Sequence, residues 1–162
     1  MLFAHANGFC ASAYRQMFEA LGSHYDVFAV DLRGFGASEL QADPHAHRSW
    51  RVFASDICEF VAKASADFSI SGEWTFSGHS LGAASAMIAS ASIGKAAAVR
   101  LIEPVATTRL IQLLALTPLW PLVTARMPLV RGARGRRAKW ADRDSVRASY
   151  AKKALFETWA CG

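Results

Sequence analysis

The sequence predicts an α/β protein with a partial doubly wound, mostly parallel sheet of about four strands, helices on both faces and an incomplete helical cap. Short apolar runs of the kind found in buried parallel strands alternate with longer segments whose apolar residues recur every three or four positions. Alternation at this spacing is typical of βαβ units. It stops at Pro104, beyond which the chain becomes more basic.

The first βα unit lies within residues 2–22. A short apolar strand at residues 2–4 runs into a loop over residues 5–9. An amphipathic helix follows, because apolar residues recur at i, i+3, i+4 and i+7, and Gly22 is a stop signal. The apolar positions of this helix are Tyr14, Met17, Phe18 and Leu21.

The second βα unit has a strand over residues 25–31, with the continuous apolar run of a buried parallel strand. A loop with two glycines follows at residues 32–38. The next helix is predicted from an apolar stripe. Its members are Trp50, Phe53, Ile57, Phe60, Val61 and Ala64.

A strand at residues 74–77, a small-residue helix at 83–89 and a strand at 97–102 complete the alternating part. Ligands bind at the carboxyl ends of the strands in such sheets. Four chemically useful residues follow predicted strand ends and should share one edge of the sheet. They are His5, Asp31, Ser80 and Glu103.

Residues 78–82 form a G-x-S-x-G pentapeptide between a predicted strand and a predicted helix. A serine at a sharp strand-to-helix turn presents its hydroxyl as a nucleophile. The flanking Gly78 and Gly82 suit a turn where the backbone passes close to its neighbours and adopts an unfavourable conformation. The motif therefore predicts a nucleophile at Ser80.

These segments together resemble the α/β-hydrolase fold family. The matching pieces are the strand and loop at residues 3–9, the loop from Asp31 to Ser38, the Gly78–Gly82 elbow and the strand ending at Glu103-Pro104. The resemblance covers residues 2–103 well. It implies a core at residues 1–103 and a partial helical cap at residues 104–162.

The resemblance implies that Ser80 forms an acyl-enzyme and that the backbone N–H of Leu81 is one oxyanion-hole donor. The second donor is expected from the loop after the first strand. Asn7 is the preferred candidate because it occupies the third position of the His-Gly-x type motif, with Gly8 and Phe9 as alternatives. The chain departs from the family at Ala6, where glycine is common.

The remaining polar candidates have weaker assignments. His5 is interpreted as a brace for the oxyanion loop and His79 as structural. Glu103 follows the strand after the elbow, and it is either the acid of the catalytic triad or a residue that lines or braces the pocket. His45 and His47 form an H-x-H pair, but no carboxylate or cysteine cluster supports a metal site there.

Composition suits a folded, hydrophobic chain. The 162 residues are 52% hydrophobic and 19% charged, which argues against disorder. Three widely spaced cysteines, Cys10, Cys58 and Cys161, do not suggest a disulfide framework. The N-terminus lacks the pattern of a signal peptide, so a cytoplasmic location is expected.

Charge is unevenly distributed. Residues 1–103 carry seven Lys/Arg and ten Asp/Glu, and residues 104–162 carry eleven and three. Nucleic-acid binding is disfavoured because the basic run at residues 131–147 matches no recognisable nucleic-acid-binding module. A membrane span over residues 110–130 is disfavoured by Arg126 and by three prolines. Short amphipathic helices over a cleft are the preferred interpretation.

By the family's Ser–acid–His order, the triad histidine should lie near the C-terminus. No histidine follows His79. We therefore expect a fragment that lacks both N-terminal strands and the C-terminal acid and histidine, and that is inactive by itself.

Two functions follow from the resemblance. The first is a serine hydrolase acting on a small-molecule carboxylic ester or related acyl substrate, with no cofactor. A serine at the elbow argues against epoxide hydrolases and haloalkane dehalogenases, which need an aspartate. The alternative is a non-catalytic α/β-hydrolase-like protein that binds a small apolar ligand or a partner.

Overall fold

The computed structural model describes residues 1–43, 49–106, 108–127, 130–132, 135 and 140–151. The chain divides into two compact units, Met1–Ala106 and Thr107–Gly162. All described strands belong to the first unit.

The elements of the first unit are, in chain order, β1 (Leu2–Ala4), α1 (Arg15–Leu21), β2 (Phe28–Val30), α2 (Arg51–Asp67), β3 (Trp74–His79), α3 (Leu81–Ile93) and β4 (Ala96–Ile102). A 3₁₀ turn at Ala11–Tyr14 precedes α1. The described elements of the second unit are α4 (Arg109–Ala115), α5 (Trp120–Arg126) and α6 (Arg143–Ala151).

The four strands form one parallel sheet in the order β2-β1-β3-β4. The register pairs Ala4 with both Val30 and Gly78. On the other side of β3, His79 pairs with Ile102. The carboxyl ends of all four strands therefore meet at one edge, as predicted for an α/β fold.

The contacts of alternate side chains along β1 show that helices lie on both faces of the sheet. Leu2 and Ala4 belong to the core cluster that includes Ile57 of α2 and Ala86 of α3. Phe3, on the opposite face, contacts two rings that lie before and within α1. Residues two apart in a strand share a face, so α1 covers one side and α2 with α3 the other.

Strand β2 is shorter than predicted. The expected strand over residues 25–31 is reduced to Phe28–Val30, because β1 offers only the three partners Leu2–Ala4. As an edge strand, β2 is half-buried, where the sequence suggested a fully buried strand.

The second unit is helical in its described part. Thr108 caps α4 with its side-chain oxygen, and Pro121 lies in the first turn of α5, where proline needs no hydrogen-bond partner. Apolar residues recur at helical spacing between Val146 and Trp159. The structure has a helix from Arg143 to Ala151, and the later positions lie outside the described residues. No helix in the described part of the chain combines the length and apolarity needed to cross a membrane. A cap role for this unit stays a prediction.

Candidate active site

Ser80 occupies the sharp turn between β3 and α3. Its backbone has φ 54° and ψ −114°. A positive φ is rare for a residue with a side chain and is found where surrounding structure enforces it. The Ser80 N–H donates to the carbonyl oxygen of Ile102 at 2.9 Å, which ties the turn to the end of β4. The serine thus stands at the sheet edge in the strained geometry expected for an exposed nucleophile.

Both glycines of the elbow are required by close backbone contacts. A β-carbon on Gly78 would overlap the backbone of Gly82 and Ala83. A β-carbon on Gly82 would overlap the carbonyl groups of Ala4 and His5. Neither glycine has a positive φ, so the need is for space and not for a left-handed conformation.

Helix α3 brings its N-terminus to the same edge. The first N–H groups of a helix have no acceptor within the helix and carry partial positive charge. Leu81 is the first residue of α3, directly after Ser80. The helix can approach β1 and β3 closely because Ala83, Ala86 and Ala89 are fully buried on it.

The loop after β1 contains a tight turn. The Phe9 N–H donates to the Ala6 carbonyl oxygen at 3.1 Å, with Asn7 and Gly8 between them and exposed. Gly8 has φ 80°, the value for the third residue of a type II turn. The bond occupies the Phe9 N–H and so disfavours Phe9 as an oxyanion donor. Ala6 has no positive φ, so this loop does not need glycine there.

His5 braces this loop from inside the core. It is fully buried, and its Nε2 accepts a hydrogen bond from the Leu32 N–H at 3.0 Å. Nδ1 must then carry the proton, and it donates to the Ala6 carbonyl oxygen at 2.8 Å. Burial lowers the pKa of His5 below its usual range, although the Ala6 carbonyl and Asp31 oppose this. The ring is therefore neutral, and its Nε2 at 4.0 Å from Asp31 is no ion pair.

Asp31 joins two loops at the sheet edge. Its Oδ1 accepts from the Ala11 N–H at 2.6 Å and its Oδ2 from the Ala37 N–H at 2.7 Å. Gly36, with φ 54°, leaves room for this carboxylate where a β-carbon would overlap it. Two residues on, Arg33 binds Asp56 of α2 through two hydrogen bonds. These contacts make Asp31 a structural residue that fixes the loops beside the elbow.

His79 and Glu103 are brought together by the pairing of β3 with β4. Nε2 of His79 lies 3.6 Å from Oε2 of Glu103, and Nδ1 lies 2.8 Å from the Tyr14 hydroxyl. The Glu103 side chain is 85% exposed, unlike a buried triad acid, and its backbone has φ 43°. The contact to His79 favours the bracing interpretation of Glu103.

Tyr14 is the site residue that the sequence did not reveal. Its helical spacing assigned it to an apolar stripe, yet its hydroxyl accepts from the Ala6 N–H at 3.2 Å and contacts His79. It also packs on Phe3, with ring centroids 4.8 Å apart. No local motif marks such a tyrosine, since its polar partners come from the loop after β1 and from the end of β3.

The roles predicted for Ser80, Leu81 and Asn7 stay predictions, as does that of Glu103. The fold places all four residues after strand ends at one edge of the sheet. His45 and His47 lie outside the described residues. Among the residues that the structure describes, no group of three or more His, Cys, Asp or Glu could hold a metal ion.

Comparison with known proteins agrees with this architecture. The model of the alpha/beta hydrolase family matches residues 1–161. The chain therefore belongs to the alpha/beta hydrolase family. A comparison with curated proteins gave no match.

Two solved structures share the fold. One is a thermophilic esterase from Thermogutta terrifontis, 18% identical, with a TM-score of 0.51 over 78% of this chain and 47% of that one. The other is an epoxide hydrolase of the alpha/beta hydrolase superfamily from metagenomes of hot environments. It is 17% identical, with a TM-score of 0.57 over 91% of this chain and 54% of that one. The chain thus spans about half the length of each.

Proposed function

We propose that this chain carries the nucleophile of a serine hydrolase that acts on carboxylic esters or related acyl substrates. The observation that carries the proposal is the backbone of Ser80, held at φ 54° between β3 and α3. Strain of this kind persists where the surrounding structure enforces it, and it clusters at active sites. Here Gly78 and Gly82, on either side of Ser80, make close backbone contacts that a side chain would block.

In the proposed reaction the Ser80 hydroxyl oxygen attacks the acyl carbon of the substrate and loses its proton to a general base. The carbonyl oxygen becomes an oxyanion, which accepts hydrogen bonds from the N–H groups of Leu81 and Asn7. Collapse breaks the bond to the alcohol, which leaves with the proton. Water then cleaves the acyl-enzyme. Loss of one oxyanion donor in such a site reduces kcat by about 10²–10³.

Neither described histidine near the elbow supplies that base. Both ring nitrogens of His5 are occupied by the Ala6 carbonyl and the Leu32 N–H. His79 faces Tyr14 through one nitrogen and Glu103 through the other. A serine without a base is a weak nucleophile, so the described residues alone should hydrolyse esters orders of magnitude more slowly than a site with a complete triad.

The serine at position 80 also argues against the reaction of one structural neighbour, the epoxide hydrolase. An epoxide hydrolase of this family needs an aspartate at the elbow to form an alkyl-enzyme ester. The hydroxyl of Ser80 forms an acyl ester with a carboxylic substrate instead. The expected substrates are therefore acyl compounds.

The test is covalent labelling of the protein expressed from its complete reading frame. An activated fluorophosphonate should modify Ser80, located by mass spectrometry, and the protein should cleave short-chain nitrophenyl esters. Ser80→Ala should abolish both, while Ser23→Ala, at an exposed serine after α1, should change neither. A folded protein that neither labels nor cleaves would instead support the non-catalytic, ligand-binding alternative.

A further inference from the structure

Four polar groups form a chain behind the elbow, in which hydrogen bonds link the first three and the fourth lies close by. The Ala6 N–H donates to the Tyr14 hydroxyl oxygen at 3.2 Å. That hydroxyl lies 2.8 Å from Nδ1 of His79, whose Nε2 lies 3.6 Å from the Glu103 carboxylate. The chain therefore crosses from the loop after β1, through the 3₁₀ turn, to the ends of β3 and β4.

The proton positions in this chain follow from the donors available. The Tyr14 oxygen accepts from the Ala6 N–H, and the phenol proton is donated to Nδ1 of His79 when that nitrogen is unprotonated. His79 in its neutral form then carries its proton on Nε2, towards Glu103. Burial raises the pKa of Tyr14 above its usual range, against a smaller opposing effect of the Ala6 N–H, so the phenol remains protonated.

Little water can reach the Ala6 amide to replace the tyrosine. Ala6 is only 4% exposed, and a buried N–H without a partner is unfavourable. Ala6 directly precedes Asn7, and its carbonyl closes the turn around Asn7. The hydroxyl of Tyr14 therefore fixes the peptide plane next to the proposed oxyanion donor.

We propose that Tyr14 is a positioning residue for the reaction at Ser80: its hydroxyl, held by His79 and Glu103, fixes the backbone of the oxyanion loop through the Ala6 N–H. This inference rests on the proposed function. In this proposal His79 positions the Tyr14 hydroxyl and does not act as the general base for Ser80. It also explains why an exposed glutamate faces the elbow histidine.

The main test compares Tyr14→Phe with Tyr25→Phe in the protein expressed from its complete reading frame. Both variants lose one hydroxyl, but that of Tyr25 accepts a hydrogen bond from the exposed Arg100 side chain, away from the oxyanion loop. Tyr14→Phe should lower kcat for a nitrophenyl ester about tenfold and slow fluorophosphonate labelling equally, with KM changed less than about twofold. Tyr25→Phe should keep both constants. A folded Tyr14→Phe protein with an unchanged kcat overturns the proposal.

His79 provides a second test. Asn Oδ1 lies close to the position of Nδ1 and can accept from Tyr14, whereas Leu cannot. His79→Leu should therefore reduce kcat as Tyr14→Phe does, and His79→Asn should restore most of the loss. Because both residues act through one chain, the Tyr14→Phe, His79→Leu double variant should be no worse than either single variant. Fully additive losses contradict the proposal.

Amide hydrogen exchange separates this inference from the proposed function. Tyr14→Phe should raise exchange of the Ala6 N–H about tenfold, and Tyr25→Phe should not, whether or not esters are cleaved. If Ser80 does not label but exchange responds, the hydrolase proposal fails and the positioning contact stands. If Ser80 labels but neither exchange nor kcat responds to Tyr14→Phe, the positioning proposal fails alone.

Discussion

Gly82, in the first turn of α3, packs directly against the carbonyl group of Ala4 at the end of β1. This contact brings the start of the helix up to the loop that holds Asn7. The N–H of Leu81, one residue before Gly82, is thereby placed beside the nucleophile at the same sheet edge. The absence of a side chain at Gly82 thus allows one proposed oxyanion donor, in α3, to approach the other, in the loop after β1.

Gly82→Ala tests this contact, because helix propensity predicts a higher free energy of unfolding and packing predicts a lower one. In a helix, alanine is more favourable than glycine by about 1 kcal/mol. Here the new β-carbon would overlap the Ala4 and His5 carbonyls, so we expect a net loss of about 1–3 kcal/mol in the free energy of unfolding. Urea unfolding measures it. Gly72→Ala, where a β-carbon meets nothing within 4 Å, is the matched control.

An unchanged or raised free energy of unfolding in Gly82→Ala would show that the helix start shifts freely. In that case the elbow geometry would not depend on the close approach to β1. Gly72→Ala should stay within about 0.5 kcal/mol of the wild type.

The Arg33–Asp56 pair predicts that replacing Arg33 by lysine lowers stability more than the same replacement at Arg15. Arg33 binds both carboxylate oxygens of Asp56 with side chains only 18% and 12% exposed. Arg15 and Glu19 form an exposed pair along α1, at 66% and 61%. Lysine cannot form the two parallel bonds, so Arg33→Lys should cost about 1–2 kcal/mol of unfolding free energy. Arg15→Lys should cost less than about 0.5 kcal/mol.

Thermal and urea unfolding of the two variants would compare these sites directly. Equal losses at Arg33 and Arg15 would contradict the prediction. They would mean that the loop after β2 gains nothing from its two-bond link to α2.

Sequence patterns predicted the fold well because its elements are local. The apolar runs predicted all four described strands, and the Gly78–Gly82 pentapeptide predicted the elbow between β3 and α3. The error at β2 has a physical cause. Its length is set by the three paired residues of β1, a partner that residues 25–31 do not encode.

The candidate site was predictable only in part, for a similar reason. Motif spacing identified Ser80, because the Gly78–Gly82 pentapeptide is local, although Gly82 also packs against the distant carbonyls of Ala4 and His5. Tyr14 depends on His79, 65 residues away, and on Ala6, so its role appears only once the strands are paired. The exposed position of Glu103 is likewise a property of the folded sheet edge.

His5 predicts a loss of stability at acidic pH. Its pKa is lowered in the fold, chiefly by burial, from an ordinary value of about 6.5. Below about pH 6.5 the unfolded chain gains a proton on His5 that the folded chain does not accept. The unfolded state then binds more protons, so stability is complete above about pH 6.5 and falls as pH decreases towards the folded pKa.

His5→Gln isolates this contribution, since glutamine can accept from the Leu32 N–H but does not titrate. Urea unfolding of both proteins from pH 8 to pH 5 should show a steeper loss in the wild type, at most about 1.4 kcal/mol per pH unit. Parallel curves would mean that His5 does not contribute to the pH dependence.

Asn7 offers the sharpest test of the oxyanion loop, because its N–H can be removed without disturbing the turn. In the turn closed by the Phe9 N–H and the Ala6 carbonyl, Asn7 is the second residue and Gly8, with φ 80°, the third. Proline is favoured at the second position of a type II turn. Asn7→Pro should therefore fold normally and yet lower kcat for ester hydrolysis about 10²–10³-fold.

Asn7→Ala separates the backbone from the side chain, since it keeps the N–H and removes only the amide group. Its kcat should fall far less than that of Asn7→Pro, measured on the same nitrophenyl ester in the complete protein. The opposite order would assign the donor to the Asn7 side chain. Similar kcat values for the wild type and a folded Asn7→Pro protein would move the second donor to Gly8, because the Phe9 N–H is already bound to Ala6.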